Sequence, residues 1–365
     1  MRIALLDTFY DTSHRYWAEG LMRNMNHDFT LYTNKPKNWK WQMIGGVLNF
    51  VEKINESQPY DLVVASDMVN IPLLKSSLTT AHQATPILVY FHENQITYPW
   101  SPNDVDVTKN RDHHYGWINY MSAVLANGLL FNSAFHRHSF LKSLPVFIKM
   151  FPKFQVPLSM GKIEQKSSIL PIGVELPDTS IEKSEQPIII WNHRWEYDKN
   201  PEEFFKALFQ LSDEGREFKL VVVGKEYKNS PAIFQEAKRR LETHILHWGW
   251  VESRREYLEL LEKSNILLIT SNQDFFGISI VEAIAYGCHP ILPNRLCYPE
   301  HIPKELSADV LYEGYNGMIS LLAEVLTNGK FKNTKRFQEY IAKYYWENIS
   351  SNYNEVFLNA KKTPA

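Results

Sequence analysis

Cysteine is nearly absent from this chain: 365 residues hold two, Cys288 and Cys297, too few for a disulfide framework and without the paired spacing of a zinc site. A reducing, cytoplasmic compartment is the expectation. Long hydrophobic runs are also missing. Nowhere do about 18 apolar residues stand together, so no segment reads as membrane-spanning, while peripheral contact with a bilayer stays open. The opening run Ile3 to Leu6 ends in Asp7 and lacks a small-residue cleavage pattern, so it reads as a first strand and not as a signal peptide. Charge of one sign is lacking as well. With 39 Lys and Arg against 41 Asp and Glu, no global field advertises nucleic acid, and any such partner must be met by a local patch.

Several motifs are missing too. No G-x-G-x-x-G follows the first strand, where the turn reads Asp7-Thr8-Phe9-Tyr10-Asp11-Thr12-Ser13-His14, so a dinucleotide site there is not expected. No Asp-x-Asp stands at a strand end, and His14, His113 and His114 have no cysteine or carboxylate cluster in sequence around them. No metal ion is expected. Internal repeats and low-complexity tracts are absent.

What remains is an α/β pattern repeated twice. Short apolar runs at Ile3 to Leu6, Leu62 to Ala65, Ile87 to Phe91 and Gly128 to Phe131 predict buried parallel strands separated by helices. The pattern restarts with Ile188 to Trp191, Lys219 to Val223, Ile266 to Thr270 and His289 to Leu292, with helices at Pro201 to Asp213 and Arg254 to Lys263. Residues 1–175 are expected as a first Rossmann-like domain, 176–187 as a linker and 188–336 as a second Rossmann-like domain. The linker is rich in proline and charge. Residues 337–365 are expected as a last aromatic helix crossing back to the first domain. Two doubly wound sheets would put their strand C-termini on opposite walls of one cleft, which suits two substrates.

The sharpest constellation is Asp274-Phe275-Phe276-Gly277-Ile278-Ser279-Ile280-Val281-Glu282, after a strand and opening a helix. At this spacing the first acid can meet sugar hydroxyls and the second a ribose, while Gly277 lets backbone approach a diphosphate at a helix start. A second turn, Asn192-His193-Arg194-Trp195-Glu196-Tyr197-Asp198-Lys199-Asn200-Pro201, carries Arg194 and Lys199. Two fixed cations can stabilise a departing diphosphate. The blander alternatives are a loop cap and a solvated helix face for the acids, and ordinary surface charge for the cations.

These motifs resemble the retaining glycosyltransferases of family 4, which have the GT-B architecture, and the likeness spans most of the chain. Within that family, Phe91 to Pro99, Trp191 to Pro201 and Pro293 to Glu300 are similar to the queuosine-tRNA mannosyltransferases. The resemblance implies transfer of mannose from GDP-mannose to queuosine in the tRNA anticodon, with nucleotide sugar and tRNA as partners and no cofactor. It implies reaction-centre roles for Arg194, Lys199, Asp274, His92 and Glu93, and donor contacts from Glu282, Phe276, Gly277, Ile278, Asn192, Asn294 and Arg295. Ser13, His14, Asn94, Tyr98 and Arg137 are the acceptor-side candidates. Two features depart from the family: Asp274 stands where Glu is usual, and Thr12-Ser13-His14 replaces a glycine pair.

An RNA acceptor calls for a basic footprint. Between His136 and Lys166, Arg137, Lys142, Lys149, Lys153, Lys162 and Lys166 face one acid, Glu164, with Phe140, Phe147, Phe151 and Phe154 interleaved. This stretch suits phosphates and stacked bases, an anionic membrane with a lipid acceptor, or a solvated helix over a core. Lys238, Arg239, Arg240, Arg254 and Arg255 form a second patch. A lipid- or glycan-directed family 4 enzyme and a non-catalytic nucleotide-binding module remain the alternative functions.

Overall fold

The computed structural model describes residues 1–101, 104–109, 111–151, 159–175, 183–227, 229–328 and 331–362. Most of the expected linker, with Lys153 and Phe154 of the basic stretch, lies outside them. The chain divides into two compact units, Met1–Gly173 with Trp346–Ala365, and Val174–Tyr345.

The first unit is built on β1 (Arg2–Asp7), β2 (Asp28–Thr33), β3 (Leu62–Ser66), β4 (Ile87–Phe91), β5 (Gly128–Phe131) and β6 (Ser167–Ile169), in the order β2-β1-β3-β4-β5-β6. All neighbours are parallel. β3 and β4 are buried along their whole length because helices cover both faces, which is why they read as unbroken apolar runs. Phe91 of β4 and Phe131 of β5 stack, and Phe140 packs on both at a tilt. β2, an edge strand with one buried residue in six, carries no such run and escapes the apolar pattern.

The second unit repeats the plan with β7 (Ile188–Trp191), β8 (Lys219–Val223), β9 (Ile245–Gly249), β10 (Ile266–Leu268), β11 (His289–Pro293) and β12 (Leu311–Tyr312), again all parallel, in the order β12-β11-β10-β7-β8-β9. β10 stops at Leu268, two residues before the expected end, and the chain turns into the loop 269–277. The helices Pro201–Asp213 and Arg254–Lys263 lie where the sequence predicts them.

The expected single last helix is two. Thr334–Ile341 belongs to the second unit, where Gln338 Nε2 donates to the Ala285 carbonyl at 2.8 Å and Phe337 packs against His289. After the turn Ala342–Tyr344, the helix Trp346–Lys362 belongs to the first unit. The return therefore falls at Tyr345/Trp346, not at residue 337. Trp346 closes against Gly173, where a Cβ would stand 2.3 Å from the indole. Tyr353 accepts from Trp17 Nε1 at 3.0 Å and donates to the Pro171 carbonyl at 2.8 Å.

Candidate active site

In the second unit the turns after β7 and β10 are laced together. Asn200, at φ 53°, ends the short turn Tyr197–Lys199 and starts the helix at Pro201, and Thr270 Oγ1 donates to its carbonyl at 2.9 Å. The Asn272 amide donates to the Asp198 carbonyl at 2.7 Å. Held this way, the buried Lys199 points its Nζ to Asp274 Oδ1 at 2.8 Å and to the Gln273 carbonyl at 2.7 Å. Tyr298 donates to the other Asp274 oxygen at 2.6 Å. Burial alone would lower the Lys199 pKa, but the Asp274 and Asp198 carboxylates outweigh it and leave it raised. Burial would raise that of Asp274, and Lys199 more than offsets it, so this pair stays charged.

Arg194 is the more exposed cation, at 43% for its side chain, and lies 3.2 Å from Glu196 Oε2. Its charge reaches both Lys199 and His193. Buried His193 is pushed down to about 4, by desolvation first and then Lys199, so its imidazole is neutral. Its Nδ1 lies 3.4 Å from Ser279 Oγ, while Asn192 Nδ2 donates to the Ser279 carbonyl at 2.8 Å and to Tyr257 at 3.3 Å. Tyr257 donates to Glu282 Oε2 at 3.4 Å, and Arg254 pairs with Oε1 of the same carboxylate. Lys199 with Asp274, and Asn192 with Glu282, thus sit on one contiguous set of turns. Within it, Asn192 Oδ1, His193 Nε2 and Gln273 Nε2 are buried without a hydrogen-bond partner among the described residues. Each such group costs about 1–3 kcal/mol until something pairs with it.

Gly277, at φ 72°, supplies the left-handed turn that opens the helix Ile278–Ala285. Phe276 is core: its carbonyl accepts from His301 Nε2 and its ring packs on His301 and Tyr344. The Arg295 guanidinium is held by the carbonyls of Thr270 and Ser271 and by Asn272, so it shapes the loop 270–272. Asn294 bonds Glu313 at 2.8 Å.

The first unit holds a second polar cluster at its strand ends. His14 Nδ1 lies 2.7 Å from Asp7 Oδ2, and its ring stacks on His92 at 4.0 Å and 19°. The His92 amide donates to Asp67 Oδ1 at 2.8 Å, while its Nδ1 lies 3.6 Å from the same oxygen and both its ring nitrogens are buried without a hydrogen-bond partner among the described residues. Burial would discharge His14, but Asp7 lifts it to about 9; Asp67 is raised to about 7 by burial, and His92 is driven well below its ordinary value by burial and by His14. His14, Asp67 and His92 each offer a ligand atom within 4.8 Å of the others. Near-parallel stacked rings keep their in-plane lone pairs from converging at the roughly 2 Å a zinc–nitrogen bond requires, so the cluster suits proton sharing better than a metal.

Glu93 stays with this cluster, its amide donating to Asp67 Oδ1 at 3.4 Å and its charge helping to raise His14; the remaining first-unit candidates separate. Glu93 Oε1 accepts from Gln95 Nε2 at 2.8 Å, and Asn94 caps its own turn by accepting from Ile96 and Thr97 amides. Tyr98 closes that turn through its amide, and Ser13 is exposed on the helix Thr12–Asn24. Arg137 donates to the Ser167 and Glu164 carbonyls, which ties down β6. Phe140 and Phe147 are core, and Lys166 donates to the Val124 carbonyl, with burial lowering it to about 8. In the second patch Arg240 and Arg255 pair with acids of their own helices and Arg254 holds Glu282. Asp67, Arg254 and Tyr257 gain their site positions from contacts distant in sequence; no local motif marks them.

Residues 2–174 match the family described as "tRNA-queuosine alpha-mannosyltransferase N-terminal", and residues 175–344 that described as "Glycosyl transferases group 1". The tRNA-queuosine alpha-mannosyltransferase of Drosophila melanogaster is 34% identical over 316 residues, 83% of this chain and 82% of that protein. A GDP-mannose:cellobiosyl-diphosphopolyprenol alpha-mannosyltransferase of Xanthomonas campestris is 21% identical over 224 residues, 59% of this chain and 57% of that one. Sucrose-phosphate synthase from Thermosynechococcus elongatus shares the fold with a TM-score of 0.71 and 13% identity, covering 98% of both chains. Anabaena HepE in complex with UDP and glucose does so with a TM-score of 0.66 and 12% identity, covering 98% of this chain and 100% of that one. The architecture is that of the GT-B glycosyltransferases, two Rossmann-like α/β domains. On these matches the chain belongs to the tRNA-queuosine alpha-mannosyltransferase family.

Proposed function

We propose that this chain transfers mannose from GDP-mannose to queuosine in a tRNA anticodon, with retention at the anomeric carbon, without a metal ion and in the cytoplasm. The observation that carries the reading, beside the family match, is the buried Lys199–Asp274 pair with Arg194 beside it. As the glycosidic bond to the diphosphate breaks, negative charge collects on the leaving oxygens. An ammonium already fixed by Asp274 meets that charge with little reorganisation, and Arg194 adds a second cation. Glu282, held by Arg254 and Tyr257, is placed to accept from a ribose, and Asn192 and His193 offer the donor their unpaired buried atoms. The leaving phosphate itself takes part in deprotonating the acceptor hydroxyl, so no carboxylate nucleophile is needed.

The test is mass analysis of queuosine-containing tRNA after incubation with GDP-mannose, UDP-glucose or UDP-galactose. A hexosylated nucleoside is expected with GDP-mannose alone, and its loss with Lys199→Ala. Equal use of the other donors, or product formed by Lys199→Ala as fast as by the unaltered protein, overturns the reading.

A further inference from the structure

One part of the first unit combines cationic, aromatic and amide side chains, and the reaction centre does not use it. Between Asp28 and Glu52 there is no acid, while Lys35, Lys37 and Lys40 fall in the same window with Trp39 and Trp41. The structure sorts these residues into two groups. Trp39 packs on Trp100 and Tyr115, and Lys40 lies 2.6 Å from both Asp104 and Asp106, so these two anchor the helix Trp39–Gly45. Trp41, Ile44 and Leu48 face outward, 74%, 40% and 53% exposed. Lys35 and Lys37 are exposed and have no ion-pair partner among the described residues. Beside them is a cavity of about 330 Å³ lined by Thr33, Asn34, Asn49, Phe50 and Lys53, among others.

This surface continues into the strand-end cluster. The Asn34 amide donates to the Asp7 carbonyl at 3.1 Å, and Tyr10 donates back to the Asn34 carbonyl at 3.2 Å, so the segment after β2 is tied to the turn that carries Ser13 and His14. Its side-chain amides are already ordered: Asn49 Nδ2 donates to Asn34 Oδ1 at 3.2 Å, and Asn34 donates to Gln42 and to the Gly46 carbonyl, each at 2.8 Å.

We infer that residues 33–53 form a docking surface for a single-stranded RNA loop, with Trp41 as a stacking platform and Lys35, Lys37 and Lys53 as phosphate contacts. The inference rests on the RNA-acceptor reading above and deepens it by locating where that acceptor is held. Charge complementarity favours this occupant: Glu52 is the one acid among residues 33–53, Lys35 and Lys37 have no ion-pair partner among the described residues and attract a polyanion, and an exposed indole stacks on any unpaired base. A bilayer fits less well. The outward apolar group is three side chains on and beside a seven-residue helix, interrupted by Gln42 and Asn49, whereas a membrane-lying helix presents a long continuous apolar face.

The experiment measures binding of a queuosine-containing tRNA by fluorescence anisotropy across a salt series, using full-length protein, with GDP binding and thermal melting as fold controls. Trp41→Ala is expected to weaken RNA binding by about 5- to 100-fold, with Trp41→Phe restoring most of it. Lys35→Ala with Lys37→Ala is expected to reduce the slope of log affinity against log salt by about 1.4. Both variants should leave GDP binding unchanged. If the wild type binds tRNA and these variants bind it equally, the docking surface is wrong while the tRNA reading stands. If the wild type binds no tRNA, both are wrong. If the variants instead lose binding to vesicles containing anionic lipid, the face is a membrane contact and the inference is overturned.

Discussion

Burial alone would lower the pKa of Lys199 and raise that of Asp274; each offsets the effect of burial on the other and favours its charged form. Removing one member leaves the other buried and uncompensated, which costs about 3–5 kcal/mol. Lys199→Ala should therefore lower the unfolding midpoint of the second unit in calorimetry, and Asp274→Asn in that background should recover part of the loss. In the first unit the sign of the pH dependence follows from His14 and Asp67. His14, lifted to about 9, contributes stability that is complete below its ordinary 6.5 and is lost as pH rises towards 9. Asp67, raised to about 7, penalises folding increasingly as pH climbs from 3.8 to 7, and so acts in the same direction. Asp7, depressed by His14, acts in the opposite sense but only in the acid range. The first unit should be more stable at pH 6 than at pH 9, by on the order of 3 kcal/mol for His14, and so should melt at a higher temperature at pH 6. His14→Asn should flatten that slope between 6.5 and 9; an unchanged profile would count against the Asp7–His14 pair. Lys199, Asp274, Glu282 and His92 were legible in the sequence because they stand in, or one helix start beyond, turns that follow apolar strand runs at recognisable spacings. Tyr257 and Arg254, which hold Glu282, and Asp67, which meets the His92 amide, were not, because these partners are set by packing between distant segments.

At the scale of elements, strands covered on both faces were legible and edge strands were not. β3, β4 and β7 are buried at every residue and read as apolar runs, whereas β2 and β9 lie at sheet edges with half-exposed residues, and period-two or continuous patterns fade there. The last helices show the same limit. Their aromatic periodicity runs through Ala342–Tyr345 without a break, so the turn that returns the chain to the first unit does not appear as a motif. That return depends on Trp346 closing over a glycine: Gly173→Ala puts a methyl group into the indole, and overpacking of this kind costs about 1–3 kcal/mol. A lowered midpoint for the first unit, with the second unchanged, is the expected calorimetric result. Equal midpoints would mean that the terminal helix shifts without cost.

Over the whole molecule, the helix Trp346–Lys362 completes the core of the first unit with Trp346, Ile349, Tyr353 and Phe357, all buried. At about 1.5–3 kcal/mol for each such side chain, their burial rivals the net stability of an ordinary domain. A chain ending at Tyr345 should lose the cooperative transition of the first unit and keep that of Val174–Tyr345. The account's central claim is that Lys199 neutralises a departing nucleoside diphosphate, and the most direct test is the single-turnover rate of mannose transfer from GDP-mannose to queuosine-containing tRNA by Lys199→Ala, with GDP affinity measured alongside. The account predicts a rate lower by about 100- to 1,000-fold, with a much smaller change in GDP affinity. A rate within a few-fold of the unaltered protein would contradict it.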